Sequence, residues 1–251
     1  MNSEIRIYAT PIALAQGFAE EIVRMIKKAT VEKRTFTVAL SGGSTPKLLL
    51  SILGDRFSDS VSWKLVHFFW GDERCVPPDD PESNFGMAKK AFLDKISIPP
   101  ANIHRIMGEE DPLKEASRYS KEIKDFTGER SGLPIFDLII LGLGDDGHTA
   151  SIFPGKNELF SSEKICETAI HPVSFQKRIT ITGRIINNAE NVIFLVTGDK
   201  KAEVVSAIIE GSGIHDYPAA HIKPRPGVLK WYFDDAAAKM IDKSKIGNKC
   251  S

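Results

Sequence analysis

Apolar residues along the chain alternate between two rhythms. Short apolar runs at Ile5-Arg6-Ile7-Tyr8, Phe36-Thr37-Val38-Ala39-Leu40, Leu65-Val66-His67-Phe68-Phe69 and Phe136-Asp137-Leu138-Ile139-Ile140 predict strands. Further strands are expected at Arg178-Ile179-Thr180-Ile181, Val192-Ile193-Phe194-Leu195-Val196 and Trp231-Tyr232-Phe233. Between them the spacing turns helical. Ile12, Ala15, Ala19, Ile22 and Ile26 mark an amphipathic helix over 11–29, with Thr10 as N-cap and Pro11 in the first turn. Other helices are predicted from near Pro46, near 83–93, from Asp111-Pro112 onward, from Lys200 to Glu210, and after the last strand. Strands alternating with helices predict an α/β fold, a mainly parallel sheet with helices on both faces. No repeat, low-complexity tract or linker divides the chain, so residues 1–251 are read as a single domain. Functional sites in such sheets gather at the carboxyl ends of the strands.

Composition narrows the partners. The 251 residues carry 33 Lys+Arg and 33 Asp+Glu, a zero formal charge that argues against a nucleic-acid or membrane-surface role. A small anion is still accommodated by a few placed cations. Cys75, Cys166 and Cys250 are too sparse and unclustered for a disulfide framework. With neither a signal-peptide core nor an apolar run near ~20 residues, the expectation is a cytoplasmic protein.

Three strand-end loops carry the candidate chemistry. Ser41-Gly42-Gly43-Ser44-Thr45-Pro46 bends between a strand and a helix, turning backbone N–H groups and a helix N-terminus toward one point. That suits a phosphate, although no Gly-Lys-Ser/Thr of a P-loop follows; a capped tight turn is the plainer alternative. Asp72-Glu73-Arg74 ends the third strand, where Arg74 offers paired donors to an oxyanion or carboxylate.

Leu141-Gly-Leu-Gly-Asp-Asp-Gly-His-Thr-Ala-Ser-Ile-Phe-Pro-Gly155 contains a formal G-x-G-x-x-G. A dinucleotide fingerprint belongs in the first β-α turn and opens a long helix. Here it lies past the midpoint, and Pro154-Gly155 cuts any helix short. The useful content is Asp146-Gly147-His148, in which a neutral imidazole can take a proton from water near pH 7. Arg178 and Lys201 are further candidate cations, with Lys200 indistinguishable from Lys201. Metal spacing and a G-x-S-x-G elbow are both missing, Asp79-Asp80 reads as solvent-facing, and His67 reads as packing.

Taken together, Ser41-Gly-Gly-Ser-Thr-Pro46, Asp72-Glu-Arg-Cys-Val-Pro77 with Ser83-Asn84, and Gly142 through Pro154 closely resemble the 6-phosphogluconolactonase family. Arg178-Ile-Thr180, Gly198-x-x-Lys201-Ala202 and Pro218-Ala219-Ala220 fit it too, so the likeness runs over nearly the whole chain. The resemblance implies a modified Rossmann-like domain, a sugar-phosphate substrate and hydrolysis of 6-phospho-D-glucono-1,5-lactone, with no cofactor. A monomer or small homo-oligomer is expected. The resemblance implies catalytic roles for His148, Asp146 and Arg74. Substrate and phosphate would rest on Ser41, Gly42, Gly43, Ser44, Thr45, Asp72, Arg178 and Lys201. Asp146 would bond either His148 or a substrate hydroxyl. Two alternatives remain: the related glucosamine-6-phosphate deaminase/isomerase, and a sugar-phosphate-binding regulator without chemistry. The deaminase pattern carries a glutamate where this chain has Phe153, and aromatic carbon cannot shuttle protons.

Overall fold

The structure, a computed structural model, describes residues 3–211, 217–225 and 227–242, which leaves Cys250 outside. Six strands form one parallel sheet: β1 (Glu4–Tyr8), β2 (Phe36–Leu40), β3 (Val66–Trp70), β7 (Leu138–Leu141), β10 (Asn191–Val196) and β11 (Val228–Asp234). Their spatial order is β1-β11-β10-β7-β2-β3, with every pairing parallel. Every residue of β2 and β7 is buried, on both alternations, so both faces of the sheet are covered. The covering elements include α1 (Pro11–Val31), α2 (Ser44–Arg56), α3 (Asn84–Ala91), α4 (Pro112–Phe126), α5 (Gly183–Ile186) and α6 (Ala202–Glu210).

Local signals explain the boundaries. Thr10 Oγ1 accepts from Ala13 N at the start of α1, and Asp111 and Ser83 cap α4 and α3 in the same way. The second helix begins at Ser44, two residues before the expected proline. The N-cap is Gly43, whose φ of 103° is a conformation that disfavours any side chain.

Two features depart from the sequence reading. Residues 177–181 form no part of the parallel sheet. They make β9 (Lys177–Ile181), the centre of an antiparallel sheet β4-β9-β8 with β4 (Asp72–Arg74) and β8 (Cys166–Ile170). A strand of five residues cannot announce its neighbours, because pairing direction is a tertiary property. Residues 235–240, expected to start a C-terminal helix, are turns. A short hairpin, β5 (Gly128–Arg130) with β6 (Leu133–Ile135), completes the strands described. No described helix is long and apolar enough to cross a membrane.

Topology places the cleft. From β2 the chain steps outward to β3, and from β7 it steps the other way through β10 to β11. The connection therefore reverses between β2 and β7, where a crevice opens beyond the carboxyl ends. The antiparallel sheet stands over that end: Gly71 N donates to Leu40 O at 2.8 Å, and Ile181 N donates to Gly71 O at 2.9 Å.

Candidate active site

At the crevice lie two adjoining hollows. A cleft of about 220 Å³ is lined by Ser41, Gly42, Gly43, Asp72, Arg74, Asn84, Gly142, Leu143, Gly144, His148, Ala150, Arg178 and Lys201. A narrower hollow of about 170 Å³ continues from it along Gly42, Gly43, Ser44, Thr45, Thr197 and Lys201. The loops after β2, β7 and β10 and the antiparallel sheet thus bring together candidates spread over 160 residues of sequence. Lys201 faces both hollows, and Lys200 is exposed beside it.

The narrower end has the chemistry of an anion seat. It lies at the N-terminus of α2, a 13-residue helix whose first N–H groups and partial positive charge face it. Thr45 Oγ1 and Thr197 Oγ1 meet at 2.7 Å across it, joining the loop after β2 to the loop after β10. Gly198 N donates to Asp234 Oδ1 at 3.0 Å, which fixes the second loop. The Lys201 ammonium pairs with Asp145, a carboxylate that is largely exposed.

The wider end holds the Asp146–His148 pair and the guanidinium groups. His148 Nδ1 lies 2.5 Å from Asp146 Oδ1, and the same oxygen accepts from His148 N at 3.1 Å. Burial pushes the Asp146 carboxyl up, but the hydrogen bonds and charge of His148 outweigh it and hold the group at about 2. Asp146 is therefore anionic at neutral pH, and in the neutral ring an Nδ1–H directed at it leaves Nε2 unprotonated. The bend that permits this uses Gly147 at φ 78°, while Gly144 passes so close that a Cβ would lie 2.0 Å from His148 Nδ1. Ala219 N donates to Gly147 O at 3.0 Å, docking the Pro218-Ala219-Ala220 segment behind the loop.

Arg74 and Arg178 face each other as direct partners in the β4–β9 register. Antiparallel partners present side chains on one face, so two cations share one side of the cleft. Each has a buried Nε without a hydrogen-bond partner among the described residues. Burial and the charge of Arg74 depress the pKa of Arg178, with Asp72 opposing them. The Asp72 carboxylate stands 4.0 Å from Arg178 Nη1, too far for a tight pair. It accepts instead from Ser151 Oγ at 2.6 Å, and Arg74 Nη1 donates to Glu82 O. Two guanidinium groups, incompletely satisfied and mutually repelling, form a preformed receptor for anionic oxygen.

Several contributors escaped the sequence reading. Glu73, given no role from the sequence, is buried and accepts from Arg74 N, Asn84 N and Phe85 N, each at 2.8 Å, and from Ser83 Oγ at 3.1 Å. It caps α3 and anchors the Arg74 turn, even though burial raises its pKa. Asn84 Nδ2 donates to Asp72 O at 2.9 Å, and Ser151 N donates to Thr180 Oγ1 at 3.2 Å. Thr197 carried no motif, although it immediately precedes the Gly198 turn. Among the described residues, no group of three or more His, Cys, Asp or Glu side chains is placed to hold a metal ion.

The sequence pattern of the family described as Glucosamine-6-phosphate isomerases/6-phosphogluconolactonase matches residues 9–231. The 6-phosphogluconolactonase of Haemophilus influenzae is 44% identical over 206 residues, covering 81% of this chain and 87% of that protein. The solved 6-phosphogluconolactonase of Trypanosoma brucei superposes with a TM-score of 0.85 at 29% identity, covering 95% and 98% of the two chains. A monomeric glucosamine-6-phosphate deaminase superposes at 0.78 with 22% identity, covering 94% and 99%, a likeness of fold alone.

Proposed function

The chain belongs to the glucosamine-6-phosphate isomerase/6-phosphogluconolactonase family, and we propose that it hydrolyses 6-phospho-D-glucono-1,5-lactone to 6-phosphogluconate. The observation that carries this reading is the Asp146–His148 dyad opposite Arg74 and Arg178, in a cleft that continues into the anion seat at α2. A base, a receptor for developing negative charge and a phosphate seat then lie along one path.

The 6-phosphate would occupy the narrower hollow, held by the Gly42–Thr45 backbone, Thr45 and Lys201. The ring would extend toward His148. Nε2 of the neutral imidazole removes a proton from water as the water oxygen bonds to the lactone carbonyl carbon. Negative charge grows on the carbonyl oxygen, where Arg74 and Arg178 lower its energy; such preorganised charge is commonly the largest catalytic contribution. Collapse of the tetrahedral species breaks the bond to the ring oxygen, which takes the proton back from the imidazolium. A strained ester needs neither a covalent nucleophile nor a Lewis acid for this sequence. Asp146 holds the imidazole tautomer, and Asp72, tied to Ser151, limits how far Arg178 moves.

His148→Ala should lower kcat by about 10²–10⁴ if Nε2 is the base. The test is a coupled assay on freshly generated lactone, run beside ammonia release from glucosamine 6-phosphate. Lactone turnover lost in the variant, with no ammonia from either protein, supports the hydrolase. Ammonia release by the wild type would instead favour the deaminase. Phosphosugar binding with neither activity would favour a non-catalytic regulator.

A further inference from the structure

Phe153 sits where two site groups, His148 and Arg178, converge with a third side chain, His171. Its ring is 1% exposed, and its centroid lies 4.9 Å from that of His148, inclined by 48°. The Arg178 guanidinium carbon stands over the same ring, 5.6 Å from its centroid. His171 closes another side edge-on, at 5.1 Å and 76°. The His171 ring is itself pinned, because its Nδ1 accepts from Val173 N at 3.2 Å and Ser174 N at 3.1 Å.

We propose that Phe153 is a positioning residue that fixes the His148 imidazole and the Arg178 guanidinium relative to each other through one buried ring. The inference rests on the hydrolase reading for its kinetic consequences and on geometry for the rest. A hydrogen bond from Nδ1 to Asp146 fixes one point of the imidazole and leaves it free to tilt about that point; an aromatic face beside it removes the tilt. Arg178 has the complementary problem. Its Nε lacks a partner among the described residues, and Asp72 is 4.0 Å away. The negative face of a benzene ring attracts the cation without neutralising it, so its charge and N–H donors stay available to substrate. A carboxylate in that place would consume them.

The test replaces Phe153 by leucine, which keeps burial, and by phenylalanines of increasing ring fluorination, which keep shape while weakening the ring's negative face. In Phe153→Leu, kcat should fall about 10- to 100-fold through misplacement of the base. The ¹⁵N imidazole resonances of His148, recorded without substrate, should broaden or shift. Along the fluorinated series kcat should fall roughly three- to tenfold as Arg178 loosens, with KM nearly constant. Unchanged His148 resonances together with a flat kcat series would overturn the proposal. If Phe153→Leu fails to fold, the fluorinated series decides alone. Should the wild type prove inactive on the lactone, the hydrolase reading fails. The His148 resonances in Phe153→Leu and across the fluorinated series then judge the positioning role separately.

Discussion

Lys200 and Lys201 are adjacent and chemically identical, yet only Lys201 lines the two hollows. The 3-10 turn over 199–201 points successive side chains in different directions, and burial separates them. Loss of a charged partner to phosphate costs about 1.5–3 kcal/mol, so Lys201→Ala should raise KM roughly 10- to 100-fold. Lys200→Ala should leave it within about twofold, as expected for a solvated charge; equal effects in steady-state kinetics would contradict this assignment. Asp146 illustrates the reverse situation, a residue whose behaviour follows from its partner. Because its folded carboxyl lies at about 2, below its unfolded value, its stabilising contribution is present above the unfolded value and fades as pH falls toward 2. It remains ionised through the neutral range, so an acid limb in the pH profile of kcat/KM reports another group.

At the level of elements, the loop after β7 explains why the G-x-G-x-x-G spelling misleads. Gly142 has open surroundings, its added Cβ meeting only Ser41 Oγ at 3.9 Å, whereas at Gly144 a Cβ would overlap His148 and Asp146. Gly144 and Gly147 are the glycines that accommodate the Asp146–His148 pair. Gly144→Ala should therefore abolish most lactone turnover by displacing the imidazole. Gly142→Ala should fold with the Asp146–His148 bond intact, seen as an unchanged His148 resonance. Similar disturbance of His148 in both variants would refute this division. The β4–β9 pairing does comparable work, since it sets two arginines 104 positions apart in direct register. Sequence gave each arginine a place near a strand and nothing about its neighbour. The loop motifs were legible because their backbone demands select glycine, serine, threonine and proline. The antiparallel sheet was not, because strands of three to five residues do not reveal their pairing direction.

Over the whole molecule, cavity size does not identify the site. A depression of about 620 Å³ lies at the opposite, amino end of the sheet, lined by Met25, Lys28, Arg34, Asp137, Glu190 and Asn191 among others. Its charges are largely satisfied internally: Arg34 binds Glu32 and Asp137, and Glu190 binds Arg130. At the crevice of the carboxyl end, by contrast, Nε of both Arg74 and Arg178 has no partner among the described residues. His67, read as a packing residue, joins β3 to α4 through a half-buried chain: Nδ1 to His104 Nε2 at 2.9 Å, then His104 Nδ1 to Glu122 Oε1 at 2.8 Å, with Arg118 on the far oxygen. Burial and the neighbouring His104 lower the pKa of His67. A histidine depressed in this way stabilises the fold above its unfolded value and loses that contribution as pH falls, because the unfolded chain takes up the proton more readily. Stability from urea denaturation should therefore drop between pH 7.5 and 5.5 by more in the wild type than in His67→Gln. Equal drops would remove His67 from the acid response.

What the sequence by itself determined was local or periodic. Strand and helix alternation, caps at Thr10, Ser83 and Asp111, the glycine-bent loops and the presence of Asp146 and His148 depend on neighbours a few positions away. What only the tertiary structure decided was which of these meet. The pairing of Arg74 with Arg178, the choice of Lys201 over Lys200, the inward turn of Glu73 and the stacking of His148 and Arg178 on Phe153 all join distant segments. The physical reason is that such contacts form where packing brings distant surfaces together, and packing is shared by the whole core rather than encoded in any one stretch of it.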